Sequence, residues 1–395
     1  MTIQGTPPPR IVCLSNVRDQ NYDTLRNEAM LPCLSAPKRR DLFRCLESAL
    51  GREALILSAP PRATNRKSAR WLPPLETRFS THRQLFCENW DAAKWRIPCS
   101  WFFYARHVLK NTRNGDLVLI DNYEIIYIIA AWVLRLFRHV TFVLDYEDGK
   151  HLIDRSYSKT LSGLAEVAGK PLIQAAILAH PQLGMRLPES VPTELVPGFY
   201  VPSGARASTA PMPPVRFLYT GSLDSARGVK MLLEALAYLP ESGWRLDITG
   251  SGPLSPKVKA LADEPRWRDR VAFHGVLERD AFQTLVAQAH IGLNCQLSGD
   301  PISSVTFPSK IFSYLSAGLI VLSSRASEVP AICKEACIYF DEETPASLAE
   351  KMKTVIQDTE GYRSRLEMKD VAERYSTEGT AIRLKRLIEA VLPRR

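Results

Sequence analysis

Residues 219–236 read "YTGSLDSARGVKMLLEAL". The apolar run "VRFLYTGSL" ends at Thr220-Gly221, polar residues follow, and Arg227-Gly228 lead into a segment with apolar residues at helical spacing. This is the strand, turn and helix unit of a parallel α/β sheet, where ligands gather at the carboxyl ends of strands. Gly221 permits a tight turn, and Arg227 adds a guanidinium to helix amides, a combination suited to phosphate. Taken alone, the junction serves equally as a plain structural turn.

The unit repeats downstream. In "WRLDITGSGPL" (244–254) Gly250 and Gly252 either relieve backbone strain or let a ligand approach. In "RVAFHGVL" (270–277) His274, Gly275 and Val276 close a strand, with His274 open between packing and chemistry. "HIGLNCQLSGD" (290–300) is a further strand, and "TFPSKIFSYLSAGLIVLSS" (306–324) runs from a loop through a helix into the strand "IVLSS". Phe307, Pro308, Ser309 and Lys310 stand at the mouth of that helix, where a lysine supplies a point charge and the helix supplies oriented amides. Several such turns at neighbouring strand ends predict a diphosphate cradle.

Upstream the same alternation appears in "RIVCLSNV" (10–17) with the polar "RDQNYDTLRNEAM" behind it, "EALILSA" (53–59), "DLVLIDN" (116–122), "HVTFVLDYEDG" (139–149) and "PLIQAAILAH" (171–180). The Pro, Ser, Gly and Ala run "VPSGARASTAPMPP" separates the two series. We therefore expect an N-terminal Rossmann-like domain over 1–200, a linker over 201–214 and a C-terminal Rossmann-like domain over 215–375. A terminal amphipathic helix over 376–395 is expected to return to the N-terminal domain. A length of 395 residues fits two doubly wound α/β domains facing a cleft.

The chain is 45% apolar and 24% charged, with a formal charge of +9. Residues 1–200 carry 26 Lys+Arg against 19 Asp+Glu, so the first half is the basic one. Basic charge suits nucleic acid, anionic lipid or anionic substrates. No nucleic-acid motif accompanies it, so no nucleic-acid partner is expected. The segment "PPRATNRKSARWLPP" (60–74) reads as an exposed loop whose Trp71 among cations suits a membrane surface or an anionic acceptor. The eight cysteines are scattered without a C-x-x-C pair, which predicts buried reduced thiols, no structural metal and no resident cofactor. The N-terminus lacks the basic and apolar regions of a secretory signal, and "IIYIIAAWVL" (125–134) is shorter than the ~20 residues that span a bilayer. A cytoplasmic protein at or near the inner membrane face is expected, with 125–134 a core helix.

For acid/base chemistry the sequence offers Asp145, Glu147 and Asp148, three carboxylates at one strand end whose repulsion raises the pKa of one. The alternative is that they cap the next helix or pair with Lys150. Asp19 and Glu124 are secondary candidates.

The order "GSLDSARGVKMLLEAL", "ITGSGPL", "VAFHGVL" and "FPSKIFSYLSAGLIVLSS" resembles the carboxy-terminal half of nucleotide-sugar glycosyltransferases of GT-B fold, particularly family 4. The N-terminal "FVLDYEDG" resembles that family's strand ending in Asp-x-His, with Glu147 at the histidine, and "LVPGFYV" resembles its Pro-Asn-Gly exit from the first domain. The resemblance implies two Rossmann-like domains and sugar transfer from a nucleoside-diphosphate donor to a glycan or lipid-linked glycan, metal-independent and retaining. It implies that Arg227 holds the donor diphosphate, that Gly275 and Val276 face the base, and that Phe307, Pro308, Ser309 and Lys310 approach the sugar and phosphates. Gly221, Gly252 and His274 complete the expected donor surface. Two glutamates eight positions apart usually flank that loop in the family; here the places hold Val305 and Ser313, the latter counted with the donor site. Their loss motivates a second reading, an inactive nucleotide-binding partner in a glycan-assembly complex.

Overall fold

The computed structural model describes residues 9–18, 22, 25, 36–60, 70–91, 96–147, 149, 157–202 and 210–392. Among these the chain divides into two compact units, Met1–Val196 with Thr377–Arg395, and Pro197–Ser376.

The first unit is built on an eight-stranded sheet of order β10-β9-β8-β7-β1-β2-β5-β4. Its strands are β1 (Ile11–Leu14), β2 (Ala54–Ser58), β4 (Leu75–Phe79), β5 (His82–Phe86), β7 (Leu117–Asp121), β8 (Thr141–Tyr146), β9 (Ala175–Leu178) and β10 (Thr193–Leu195). Strands β3 (Arg70–Leu72) and β6 (Asn89–Asp91) form a separate antiparallel ribbon. All four residues of β1 are buried, as are all six of β8, because a central parallel strand is covered on both faces and so reads as an unbroken apolar run. The sequence turns one way from β1 to β2 and the other way from β7 to β8, which makes the β1/β7 edge the topological switch point.

Three expectations are corrected here. The segment 60–74 is not wholly loop: Arg70–Leu72 pairs with Asn89–Asp91, while 61–69 lie outside the described residues. The hairpin of β4 and β5 adds an antiparallel edge that the α/β alternation did not suggest. The helix Ile125–Phe137 buries Tyr127, Ile128, Ala130, Ala131 and Leu134 but leaves Trp132, Leu136 and Phe137 exposed, so it is a covering helix and not an enclosed one. The helix expected after β1 falls mostly outside the described residues, as do Asp19, Cys33, Asp148 and Lys150. Cys13, Cys45, Cys87, Cys295, Cys333 and Cys337 are buried free thiols and Cys99 is partly exposed.

The terminal helix Thr377–Glu389 buries Ala381, Leu384, Leu387 and Ile388 and packs against the helix Ala36–Leu50. Arg383 Nε donates to Glu194 Oε1 at 2.8 Å, tying the helix to β10. The first unit ends at Val196 and not at residue 200, because Tyr200 N donates to the Tyr375 carbonyl at 2.8 Å and Gly198 lies against the Phe312 ring.

The second unit holds a six-stranded parallel sheet of order β13-β12-β11-β14-β15-β16. Its strands are β11 (Val215–Ser222), β12 (Trp244–Ser251), β13 (Val271–Phe273), β14 (Ile291–Asn294), β15 (Ile320–Ser323) and β16 (Ile338–Tyr339). Phe217, Tyr219, Leu246, Ile248, Leu293 and Leu322 pack with Leu232, Leu236, Leu348 and Met352 in one continuous core. Here the direction of winding reverses between β11 and β14, so the residues that follow those two strands face the second switch point.

Candidate functional site

In the second unit the expected donor residues gather at the carboxyl ends of β11, β12, β13 and β14. β11 and β12 run in register to Gly221–Gly250 and Ser222–Ser251. A Cβ on Gly250, whose φ is +136°, would stand 1.9 Å from the Gly221 carbonyl oxygen, and one on Gly252 would stand 2.4 Å from that of Leu223. These two glycines are therefore required by the approach of the chain to itself. Gly221 is different: a Cβ there would meet only the end of the Lys310 side chain, at 3.7 Å from Cε.

Lys310 opens the helix Lys310–Ser316 and turns inward, with Nζ 3.8 Å from the centroid of the buried Tyr219 ring. The side-chain nitrogen is shut off from solvent and has no hydrogen-bond partner among the described residues. Burial, with Arg227 nearby, pulls its pKa down to about 7, against weaker upward pulls from Cys295 and Asp224. Tyr314 fixes the helix that carries it, since its hydroxyl accepts from Thr220 N at 2.9 Å and pairs with Thr220 Oγ1 at 3.0 Å. Ser309 and Ser313, one turn apart, are exposed on that helix, whereas Phe307 and Pro308 are buried and the Phe307 and Phe312 rings lie 5.5 Å apart. Val305 is buried.

Arg227 stands before the helix Val229–Ala235. Its backbone N donates to Asp224 Oδ1 at 2.8 Å, and its guanidinium donates to Gln296 Oε1. Gly228 makes this possible: with φ +69° it passes so near Cys295 that a Cβ would stand 1.8 Å from the Cys295 carbonyl oxygen. His274 Nε2 lies 2.7 Å from Asp247 Oδ1, and the Gly275 carbonyl accepts from Gly250 N and Thr249 Oγ1, both at 2.7 Å. Val276 is exposed beside them.

In the first unit Asp145 is enclosed at the β1/β7/β8 edge. The guanidinium of Arg39, from the helix Ala36–Leu50, pairs with Asp121 and lies 3.6 Å from Asp145 Oδ2. Ser15 Oγ donates to Asp121 Oδ2 at 2.9 Å. Burial, then the Glu147 charge, pushes the Asp145 carboxyl well above the usual range, although Arg39 pulls it down, and Oδ2 has no hydrogen-bond partner among the described residues. Glu147 instead pairs with Lys38 Nζ at 2.8 Å and keeps a side chain 15% exposed. The expected partner Lys150 is outside the described residues, and the partners found, Lys38 and Arg39, come from the basic first turn of an amphipathic helix that also buries Leu42, Phe43, Cys45 and Leu46. Ser15, Lys38, Arg39, Asp121, Tyr219 and Gln296 were not singled out from sequence. The available signal was position, since Ser15, Asp121 and Gln296 each follow or end a strand at a switch point.

Residues 214–358 match the family model described as Glycosyl transferases group 1. Among solved structures, sucrose-phosphate synthase from Thermosynechococcus elongatus is 15% identical, with a TM-score of 0.65 over 97% of this chain and 99% of that one. HepE of Anabaena, in complex with UDP and glucose, is 14% identical with a TM-score of 0.69 over 97% and 100%. The catalytic domain of starch synthase IV from Arabidopsis thaliana, bound to ADP and acarbose, is 9% identical with a TM-score of 0.69 over 98% and 100%. No curated protein sequence matches the chain. At these identities the structural likeness establishes the fold, which is GT-B.

Proposed function

We propose, from the premise that this is a GT-B chain carrying a group 1 glycosyltransferase domain, that it moves a sugar from a nucleoside-diphosphate donor to a hydroxyl of a glycan. The single observation that carries this reading is the unpaired ammonium of Lys310 at the β11/β14 switch point, beside Arg227 and glycine turns. A departing diphosphate is the anion that such a pair of cations suits, and its charge grows as the glycosidic bond breaks. In this reading the two cations and the helix amides supply the electrophilic assistance, so no metal is needed. The second unit takes the donor and the first takes the acceptor. Configuration is retained, as the family resemblance implies.

Glu147, the more open of the two described carboxylates, receives the acceptor proton, and Asp145 is enclosed behind it beside Arg39. Glu147→Gln is expected to lower turnover at least ~100-fold, the scale of a lost general base, while donor affinity holds. A release assay for nucleoside diphosphate with a panel of nucleotide sugars checks this, and a near-native rate rejects the role of Glu147. Val305 and Ser313 favour the second reading, a partner that binds nucleotide without transfer; any turnover in the same assay ends it.

The acceptor in this proposal is lipid-linked and presented at the cytoplasmic membrane face. No helix among the described residues is long and apolar enough to cross a membrane, so contact would be peripheral. Support comes from exposed Trp71, Trp90, Ile97 and Phe102 in the first unit, with Trp71 and Trp90 paired across the β3–β6 ribbon. Co-sedimentation with anionic vesicles, reduced by Trp71→Ser with Phe102→Ser, is the expected result; equal recovery of both proteins would contradict it.

A further inference from the structure

Arg227 carries a charge that its own surroundings leave unspent. Among the described residues no carboxylate pairs with its guanidinium, and the Asp224 carboxylate is occupied by the Arg227 backbone amide. The group that orients the guanidinium is a neutral amide, Gln296, which is completely buried. The side-chain direction of Gln296 is fixed from its other end, because Nε2 donates to Ser303 Oγ at 2.9 Å and that hydroxyl donates to the Leu297 carbonyl at 2.7 Å. Oε1 is thereby left to accept from Arg227. The backbone enforces the pairing as well: Leu297 N donates to the Ala226 carbonyl at 3.0 Å, and Gly228 allows the contact with Cys295 described above.

A carboxylate at 296 would hold the arginine with the same geometry and cancel its charge. An amide holds it and leaves the charge available. Resting on the donor reading above, we propose that Gln296 is a positioning residue that aims Arg227 at the donor diphosphate while keeping its full positive charge. The residue touches no reacting atom and acts only through Arg227.

The test measures binding of uridine, adenosine and guanosine diphosphates by calorimetry, and of the free nucleosides by ligand-observed NMR. The proteins are the wild type, Gln296→Glu, Gln296→Met, Arg227→Ala and the Arg227→Ala/Gln296→Glu pair. Gln296→Glu is expected to weaken the diphosphate about 10- to 100-fold, the weight of a charge-assisted hydrogen bond, and to leave the nucleoside unchanged. Arg227→Ala should lose a similar factor, and adding Gln296→Glu to it should cost no further affinity. Gln296→Met, which keeps the volume and removes the acceptor, should weaken the diphosphate severalfold and spare the nucleoside; it decides the matter should the glutamate variant fail to fold. Undiminished diphosphate affinity, or equal loss for diphosphate and nucleoside, overturns the proposal. So does an unaffected Arg227→Ala, which would leave the donor reading standing. Absence of diphosphate binding by the wild type overturns both.

Discussion

Lys310→Met is expected to make the protein more stable and at the same time to weaken nucleoside-diphosphate binding about 10- to 100-fold. The two effects have one cause. The folded state encloses Nζ over the Tyr219 ring with no paired carboxylate among the described residues, and its pKa falls from the ordinary lysine value to about 7. In the unfolded chain the same amine stays protonated up to about 10.4, so between these values the unfolded state binds more protons. Stability from this group therefore rises with pH across that window, and the penalty is complete below pH 7. Methionine keeps most of the packing volume and removes the penalty, so the melting midpoint at pH 7 should rise by about 2–6 °C. The gain should shrink towards pH 9, where the wild-type lysine is already neutral. A lowered midpoint, or unchanged diphosphate affinity, would show that the enclosed ammonium is a structural element and not a poised ligand. The combination is the expected signature of a binding site that holds its charge at a cost to the fold.

Arg39→Leu should have the largest effect on stability, a loss of about 3–5 kcal/mol at neutral pH, because it strands buried carboxylates. Arg39 is itself buried and faces Asp121 and Asp145 from the helix Ala36–Leu50. Its own pKa is raised by Asp121 and Asp145 despite burial, as expected of a cation held by anions. The Asp121 carboxyl is nonetheless raised by burial, which outweighs Arg39. A carboxyl with a raised folded pKa contributes stability that is complete below the unfolded pKa and is lost as pH rises through the folded one. Removal of Arg39 strengthens that dependence, so the deficit of the variant should widen from pH 5 to pH 7. The triple change Arg39→Leu, Asp121→Asn, Asp145→Asn should recover part of the loss. Urea unfolding at both pH values measures it, and a deficit below ~1 kcal/mol would contradict the view that these groups form one buried network.

The parallel strands of both units were legible because central α/β strands must be apolar throughout, as in "IVCL" and "IGLN". The β4–β5 hairpin was not, since its Arg78, His82, Arg83 and Gln84 break the apolar run while still pairing at an edge. The donor turns were visible through their glycines, yet sequence could not separate Gly250 and Gly252, which relieve backbone contact, from Gly221, which faces Lys310. Arg39 escaped notice because "PKRR" looks like the solvated basic turn of an amphipathic helix until the fold places one of its arginines beside two strand-end aspartates. Gln296 escaped for a related reason: an amide has no charge to draw attention, and its significance appears only when β11 and β14 bring it against Arg227.

On this account a bound nucleoside diphosphate pairs with Lys310 in its protonated form. That pairing is tested most directly by titrating the wild-type protein calorimetrically with uridine, adenosine and guanosine diphosphates at pH 8, in two buffers of different ionisation enthalpy. At that pH the lysine is mostly neutral in the empty protein, so binding of an anion should draw close to one proton from the buffer for each site filled, and affinity should fall as pH rises further. Binding without proton uptake, or no binding of any of the three, would contradict the account.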